Sequence, residues 1–161
     1  MLRPTPARVR ETLFNWLQPV IAGAECLDLF AGTGALGFEA VSRGAANSVL
    51  LEHHPGMVEI LEEQIAVFKT TDIEIIRTNA QQWLLAPASK QFDIVFVDPP
   101  FRSDLYDTVC ELLVNNGYLR QHAWVYVESQ PGILIENERL KQIKRGRAGQ
   151  VQYQLLEYDI R

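Results

Sequence analysis

Covalent and metal cross-links have little to work with in this chain. Its 161 residues include two cysteines, Cys26 and Cys110, and both sit inside apolar segments. Thiols placed this way read as buried and free, which fits a reducing cytoplasm better than a disulfide framework. His53, His54 and His122 are adjacent or far apart and match no zinc-ligand spacing, so no metal is assigned. No apolar run approaches the roughly 20 residues that span a bilayer, and the N-terminus lacks a signal-peptide core. The expectation is a cytoplasmic protein with no membrane partner. Internal repeats, linkers and low-complexity tracts are also missing, so the length reads as one domain over 1–161 with a sizeable core.

Net positive charge is lacking too: the formal balance is −5. Taken alone this argues mildly against a nucleic-acid partner, but the distribution argues for one. Arg3, Arg8 and Arg10 fall in the first ten residues, with no acid among them. Arg139, Lys141, Lys144, Arg145 and Arg147 crowd a short stretch near the end. Those two places hold eight of the fifteen basic residues, and local patches matter more to phosphate binding than net charge does. The plain alternative for each is a solvated face.

What the chain does contain is a regular alternation of elements. Thr5 and Pro6 read as an N-cap and first helical residue, with Val9, Leu13, Trp16 and Leu17 at helical spacing to about Gln18. Pro19 and Gly23 close that helix. Strands follow at 26–30, 48–52, 73–76, 92–97 and 123–128. Between them, helices begin near Gly37, Pro55, Trp83 and Asp104. The tail then reads as strand 139–144, tight turn 145–149 and strand 151–158. Repeated strand–helix alternation predicts an α/β fold with a mostly parallel sheet and helices on both faces. The closing hairpin adds an antiparallel pair, for seven strands.

Two motifs fall at strand ends, where open α/β sheets bind ligands. The first, Gly32-Thr33-Gly34-Ala35-Leu36-Gly37, fits G-x-G-x-x-G between a strand and a helix. Its first glycines let backbone approach a ligand, and its last lets helix and strand pack closely. Glu52 lies twenty residues beyond Gly32, at the next strand's end, placed to accept from ribose hydroxyls. Together they indicate a nucleoside ligand and leave a nicotinamide cofactor and S-adenosylmethionine both open. Asp28 tilts the choice, because a carboxylate just ahead of the turn repels a pyrophosphate and suits an ammonium and a sulfonium. Its plain alternative is an acid bonding loop amides; for Glu52 it is a strand-end surface acid.

The second motif is Asp98-Pro99-Pro100-Phe101, directly after the apolar run 92–97. Two prolines cannot extend the ladder and hold the chain stiff and extended. That leaves a carboxylate, two carbonyls and an aromatic ring beside the ligand end of a strand. The set suits a flat heterocycle with an exocyclic amine: Phe101 stacks on the ring, while Asp98 and the carbonyl of Pro99 or Pro100 accept the amino protons. A nicotinamide-dependent oxidoreductase would need a proton donor near these ends, and none stands out. Intact Asp28, Glu52 and Asp98 argue against a non-catalytic binding module. Methylation of DNA adenine or of a protein Gln or Asn remains open on these residues alone.

The run 27–37 with Asp98-Pro99-Pro100-Phe101 resembles class I S-adenosylmethionine-dependent amino methyltransferases. Arg3-Pro4-Thr5 followed by the run 8–15 narrows the resemblance to the bacterial 16S ribosomal RNA guanine-N2 methyltransferase family of the small subunit. Tyr126-Val127-Glu128-Ser129 and Ala148-Gly149-Gln150-Val151 also match it. This resemblance implies a Rossmann-like methyltransferase fold and S-adenosyl-L-methionine as cofactor. Its partner would be 16S rRNA or the assembling small subunit, and its state a monomer. Asp28, Phe30, Gly32, Gly34 and Gly37 would then form the methionine side of the site. Glu52 would hold the ribose, Asn79 and Ala80 the adenine, and Asp98 to Phe101 the target guanine. RNA would approach across Arg3, Arg8, Arg10 and Arg102, and across Lys141, Lys144, Arg145 and Arg147. Family members carry a basic arm ahead of the Arg-Pro-Thr motif; here the motif starts at residue 3, and the arm is taken as absent. His53-His54 is not part of the pattern and reads as a solvated loop pair.

Overall fold

The structure, a computed structural model, describes residues 6–100 and 104–160. Five helices and seven strands follow in order: α1 Ala7–Ile21, β1 Glu25–Asp28, α2 Ala35–Ser42, β2 Asn47–Glu52, α3 Pro55–Phe68, β3 Ile73–Arg77, α4 Ala80–Leu84, β4 Phe92–Val97, α5 Leu105–Asn115, β5 Leu119–Ser129, β6 Leu140–Ala148 and β7 Val151–Tyr158. The seven strands form one sheet in the order β3-β2-β1-β4-β5-β7-β6. The first five are parallel to their neighbours, while β7 runs antiparallel to both β5 and β6. The order reverses between β1 and β4, so a crevice opens where loops leave their carboxyl ends in opposite directions.

The central strands are buried on both faces, which is why they read as unbroken apolar runs. On one face Leu27, Val95, Val97, Val125 and Val127 pack under α4 and α5. On the other, Cys26, Ile94, Phe96 and Tyr126 pack under α1 and α2, through Leu13, Phe14, Leu17, Leu36 and Ala40. Leu50 and Ile73 continue that face under Leu61 of α3. Both cysteines are free and buried, and burial pushes each thiol up to about 12. No helix among the described residues is long and apolar enough to cross a membrane.

Helix α1 leads into β1 through a short turn in which the Gly23 amide donates to the Gly44 carbonyl at 2.8 Å. It therefore runs against the strands and alongside α2, with Arg10 paired to Glu39 and Arg43 stacked over the Phe14 ring. Its first turn, with Arg8, lies toward the carboxyl end of the sheet. The helix continues through Pro19 to Ile21 instead of ending at Gln18. Pro19 points to solvent and gives up one backbone bond in the last turn, while Ile21 gains burial on the apolar face.

Strands β5 and β6 differ in extent from the sequence expectation. β5 begins at Leu119, because Leu119 pairs with Phe92 before an irregularity in the ladder; Arg120, Gln121 and His122 are exposed and polar and conceal it. β6 extends to Ala148, with a turn of only Gly149 and Gln150. Gly146 belongs to the strand because the Tyr153 ring lies across it: a Cβ there would stand 2.5 Å from Tyr153 Cζ. The hairpin adds the expected antiparallel pair at one edge of the sheet, with β7 between β5 and β6.

Gly34 fixes the turn into α2. Its φ is +80°, and a Cβ would meet Leu61 Cδ2 at 2.6 Å and Phe38 Cδ2 at 2.9 Å. A left-handed residue with a side chain costs roughly 1–3 kcal/mol before any contact is counted. Gly34→Ala is expected to lower the unfolding free energy by at least about 1 kcal/mol on that basis. Urea denaturation checks this, and unchanged stability would show that the turn relaxes freely.

Candidate functional site

A cleft of about 530 Å³ opens at the carboxyl ends of β1, β2 and β4. Asp28, Phe30 and Gly32 reach it from the first strand end, Glu52 from the second, and Asn79 with Ala80 from the start of α4. Asp98, Pro99 and Pro100 close it from β4. Residues chosen on two separate motifs therefore line one space. Phe101 and Arg102 lie outside the described residues, as do Arg3 and Thr5.

Asp28 is 2% exposed. It accepts the Phe30 amide on Oδ1 at 3.3 Å, so it does bond a loop amide. That bond does not settle its charge: burial raises the carboxyl from 3.8 to about 7, the Phe30 amide opposes the shift, and the charge of Glu52 adds to it. A buried acid held near neutrality beside a second acid is a ready partner for a cation.

Glu52 is not a surface acid, since its side chain is 10% exposed. Oε1 accepts the Gly32 amide at 3.0 Å and Oε2 accepts the His54 amide at 2.9 Å. Each carboxylate oxygen has two lone pairs, so capacity remains for hydroxyl donors in the cleft. The glycine turn is further pinned by the Ala31 amide donating to the Leu51 carbonyl at 3.0 Å. Asn79 caps α4, its Oδ1 accepting the Gln82 amide at 3.1 Å.

Several placements differ from expectation. Gly34 and Gly37 do not line the cleft. The Cβ direction of Gly34 is filled by Leu61 and Phe38, and that of Gly37 by Leu50 Cδ1 at 2.6 Å, so both serve packing. His54 is exposed but is no idle loop residue: its Nδ1 accepts from the Gly56 and Met57 amides at 3.1 and 3.3 Å and caps α3. Arg10 is committed to Glu39 at 3.2 Å. Lys144, Arg145 and Arg147 lie on β6 and do not line the cleft.

Sequence reasoning missed Met57, Thr78 and Leu105 as lining residues. It also gave no role to Tyr126 and Glu128, which are both buried, with the Tyr126 hydroxyl donating to Glu128 Oε1 at 2.6 Å. Val97 pairs with Val127, so Asp98 and Glu128 follow at neighbouring strand ends. Burial, then the charge of Glu128 and the hydrogen bond to it, push the Tyr126 phenol well up, and Asp98 adds to the shift. Alternation on β5 could have placed Tyr126 and Glu128 on one face, but nothing in the sequence ties them to Asp98 without the register.

The donor set can hold a nucleoside carrying a cationic group. Asp28 suits the cation, Glu52 the ribose hydroxyls, and the start of α4 the base. Asp98, from the end of β4, lines the same cleft.

Comparison with known proteins agrees with this architecture. The model of the family described as conserved hypothetical protein 95 matches residues 1–157. Ribosomal RNA small subunit methyltransferase D of Escherichia coli is 44% identical over 158 residues, covering 97% of this chain and 79% of the relative. The protein of that name from Haemophilus influenzae is 41% identical over 162 residues, covering 97% and 83%. A solved Escherichia coli structure superposes with a TM-score of 0.93 at 42% identity, covering 99% of this chain and 89% of its own. The chain belongs to the conserved hypothetical protein 95 family, together with its ribosomal RNA small subunit methyltransferase D relatives.

Proposed function

We propose that this protein is an S-adenosylmethionine-dependent methyltransferase acting on the exocyclic N2 amine of a guanine in 16S ribosomal RNA. It works as a single methyltransferase domain and a monomer in the cytoplasm, on free RNA or the assembling small subunit. The observation that carries the reading is the convergence of Asp28, Glu52 and Asp98 on one cleft at the sheet's switch point. Family membership supports the reaction class and the RNA substrate. A nicotinamide cofactor fits less well, because Asp28 would face its pyrophosphate.

When bound, the cofactor supplies an electrophilic methyl group on a sulfonium. The chain's residues do the rest. Asp28 balances positive charge on the methionine side, Glu52 accepts from the ribose, and Asn79 with Ala80 bounds the adenine. Guanine N2 is a poor nucleophile, since its lone pair is delocalised into the ring. The Asp98 carboxylate accepts one amino proton and the Pro99 or Pro100 carbonyl the other, which turns the lone pair toward the methyl. Prolines at 99 and 100 keep those carbonyls from moving, so the gain is positioning and electrostatics fixed in advance. Asp98 would take the proton released from nitrogen as the methyl is received, directly or through water. Phe101 stacks on the base, replacing neighbours lost when the nucleotide leaves its helix. Arg8, at the head of α1, faces the RNA; the pairing of Arg10 with Glu39 reduces its share.

The direct test uses total RNA from cells lacking this protein, labelled S-adenosylmethionine and nucleoside analysis of the product. Label is expected in N2-methylguanosine. Asp98→Ala is expected to lower turnover by 100-fold or more, the order found when an oriented polar group is lost from a reacting centre, while cofactor affinity stays near that of the wild type. Near-normal turnover would remove Asp98 from the mechanism, and label in adenosine or protein would replace the substrate.

The raised Asp28 carboxyl gives a second test. Its folded value, about 7, lies above its ordinary 3.8, so folding takes up a proton. The stability this contributes is complete below about pH 4 and is lost as pH rises through about 7. Unfolding free energy of the ligand-free protein should therefore fall across that window because of this group. Asp28→Asn removes the fall and also weakens cofactor binding, which urea titrations and calorimetry at pH 5 and pH 8 check. Parallel pH profiles for the two proteins would show that Asp28 is charged throughout.

A further inference from the structure

Strand β6 is the free edge of the sheet on the side away from β3, and its sequence Leu-Lys-Gln-Ile-Lys-Arg-Gly-Arg-Ala carries no acid. Edge strands often carry charge, Lys above all, to block pairing with other sheets. The opposite edge, β3, mixes Glu74 with Arg77. An edge of one sign on a chain of net charge −5 calls for another reason.

The register separates the basic residues. Lys141 stands opposite an acid, Glu157. Lys144, Arg145 and Arg147 stand opposite Leu155, Gln154 and Gln152, all uncharged. All three are exposed, and none has an ion-pair partner among the described residues. The ladder slips between Gln142 and Lys144, leaving Ile143 as the extra residue of a bulge, which twists and bends a strand. Beyond it Lys144 shares the face of Leu155, on the α1 side, whereas Arg145 and Arg147 share the opposite face with Gln154 and Gln152. The three cations therefore straddle the edge.

They also lie on the cleft's half of the strand. Gln152 pairs with both Arg147 and Ser129, and Ser129 follows Glu128 at the carboxyl end of β5. Arg147 is thus level with the end of β4 and three strand spacings from it, about 14 Å at ordinary sheet geometry. That distance corresponds to a few nucleotides of backbone.

We propose that Lys144, Arg145 and Arg147 form a phosphate track along the β6 edge that grips the RNA strand flanking the target nucleotide. This rests on the reading of the protein as an RNA methyltransferase and adds where the substrate backbone runs. Affinity for deproteinised small-subunit ribosomal RNA, measured over a salt series, tests it. Each single-strand phosphate contact contributes about 0.7 to the slope of log affinity against log salt. Lys144→Gln/Arg145→Gln/Arg147→Gln is expected to flatten that slope by about 2, with cofactor affinity and melting temperature unchanged. Arg145→Lys/Arg147→Lys keeps the charge and should keep the slope. Should the triple variant lose cofactor binding, Lys144→Gln alone reads the same quantity, with an expected fall of about 0.7. A wild-type slope in the neutral variant would make β6 a protected edge only and overturn the track. Absence of salt-dependent RNA binding by the wild type would instead count against the parent reading.

Discussion

Glu52 is the carboxylate on which both ligand-facing loops hang. One oxygen holds the Gly32 amide in the turn after β1, and the other holds the His54 amide ahead of α3. Two loops that are sixteen or more residues apart in the chain are thus tied at one point, at the end of a strand buried on both sides. The Glu52 side chain itself is mostly buried, while the bond to Gly32 is partly buried and the bond to His54 is exposed. His54 extends the tie by capping α3 with its own ring. The same charge acts on Asp28, whose carboxyl is already raised by burial. In the ligand-free cleft the charge of Asp28 is therefore disfavoured, chiefly by burial, and a cationic nucleoside would offset that cost.

The second half of the site depends on how firmly β4 ends. Phe14 of α1 meets Phe96 with ring centroids 6.1 Å apart, and Phe96 meets Tyr126 edge-on at 6.3 Å. The aromatic row links the N-terminal helix to the strand beneath Asp98 and to the neighbouring strand that ends at Glu128. Tyr126 then spends its hydroxyl on Glu128. Aromatic pairs of this kind contribute roughly 0.5–1.5 kcal/mol each beyond burial, enough to keep the strand end from fraying. A rigid end is what a reaction needs when its catalysis consists of aiming one lone pair.

Much of this was legible in the sequence because the central strands are buried on both faces and the loops carry glycine and proline. The apolar run 92–97, the glycine turn, and the acids Asp28, Glu52 and Asp98 were readable from residue type and spacing, and the family resemblance follows from the same stretches. The failures share a cause: a residue's local propensity was overridden by a distant partner. Gly146 looked like a turn residue and instead makes room for Tyr153. Gly34 looked like a ligand contact and instead makes room for Leu61. Pro19 looked like a stop, yet Ile21 beyond it is buried. His54 is solvated as read, but its capping bonds to Gly56 and Met57 leave no periodic trace. The division of the hairpin cations between Lys141, opposite an acid, and Lys144, Arg145 and Arg147, opposite uncharged residues, depends on a bulge, which no spacing rule announces.

The central claim is that the cleft is a preformed site for S-adenosylmethionine whose ribose is held by Glu52. Calorimetric titration of the protein and of Glu52→Ala with S-adenosyl-L-homocysteine tests it most directly. The account predicts one-to-one binding by the wild type, weakened in the variant by about 1–3 kcal/mol, the range for buried hydrogen bonds to a charged group. Tight binding of NADH with no response to S-adenosyl-L-homocysteine would contradict it.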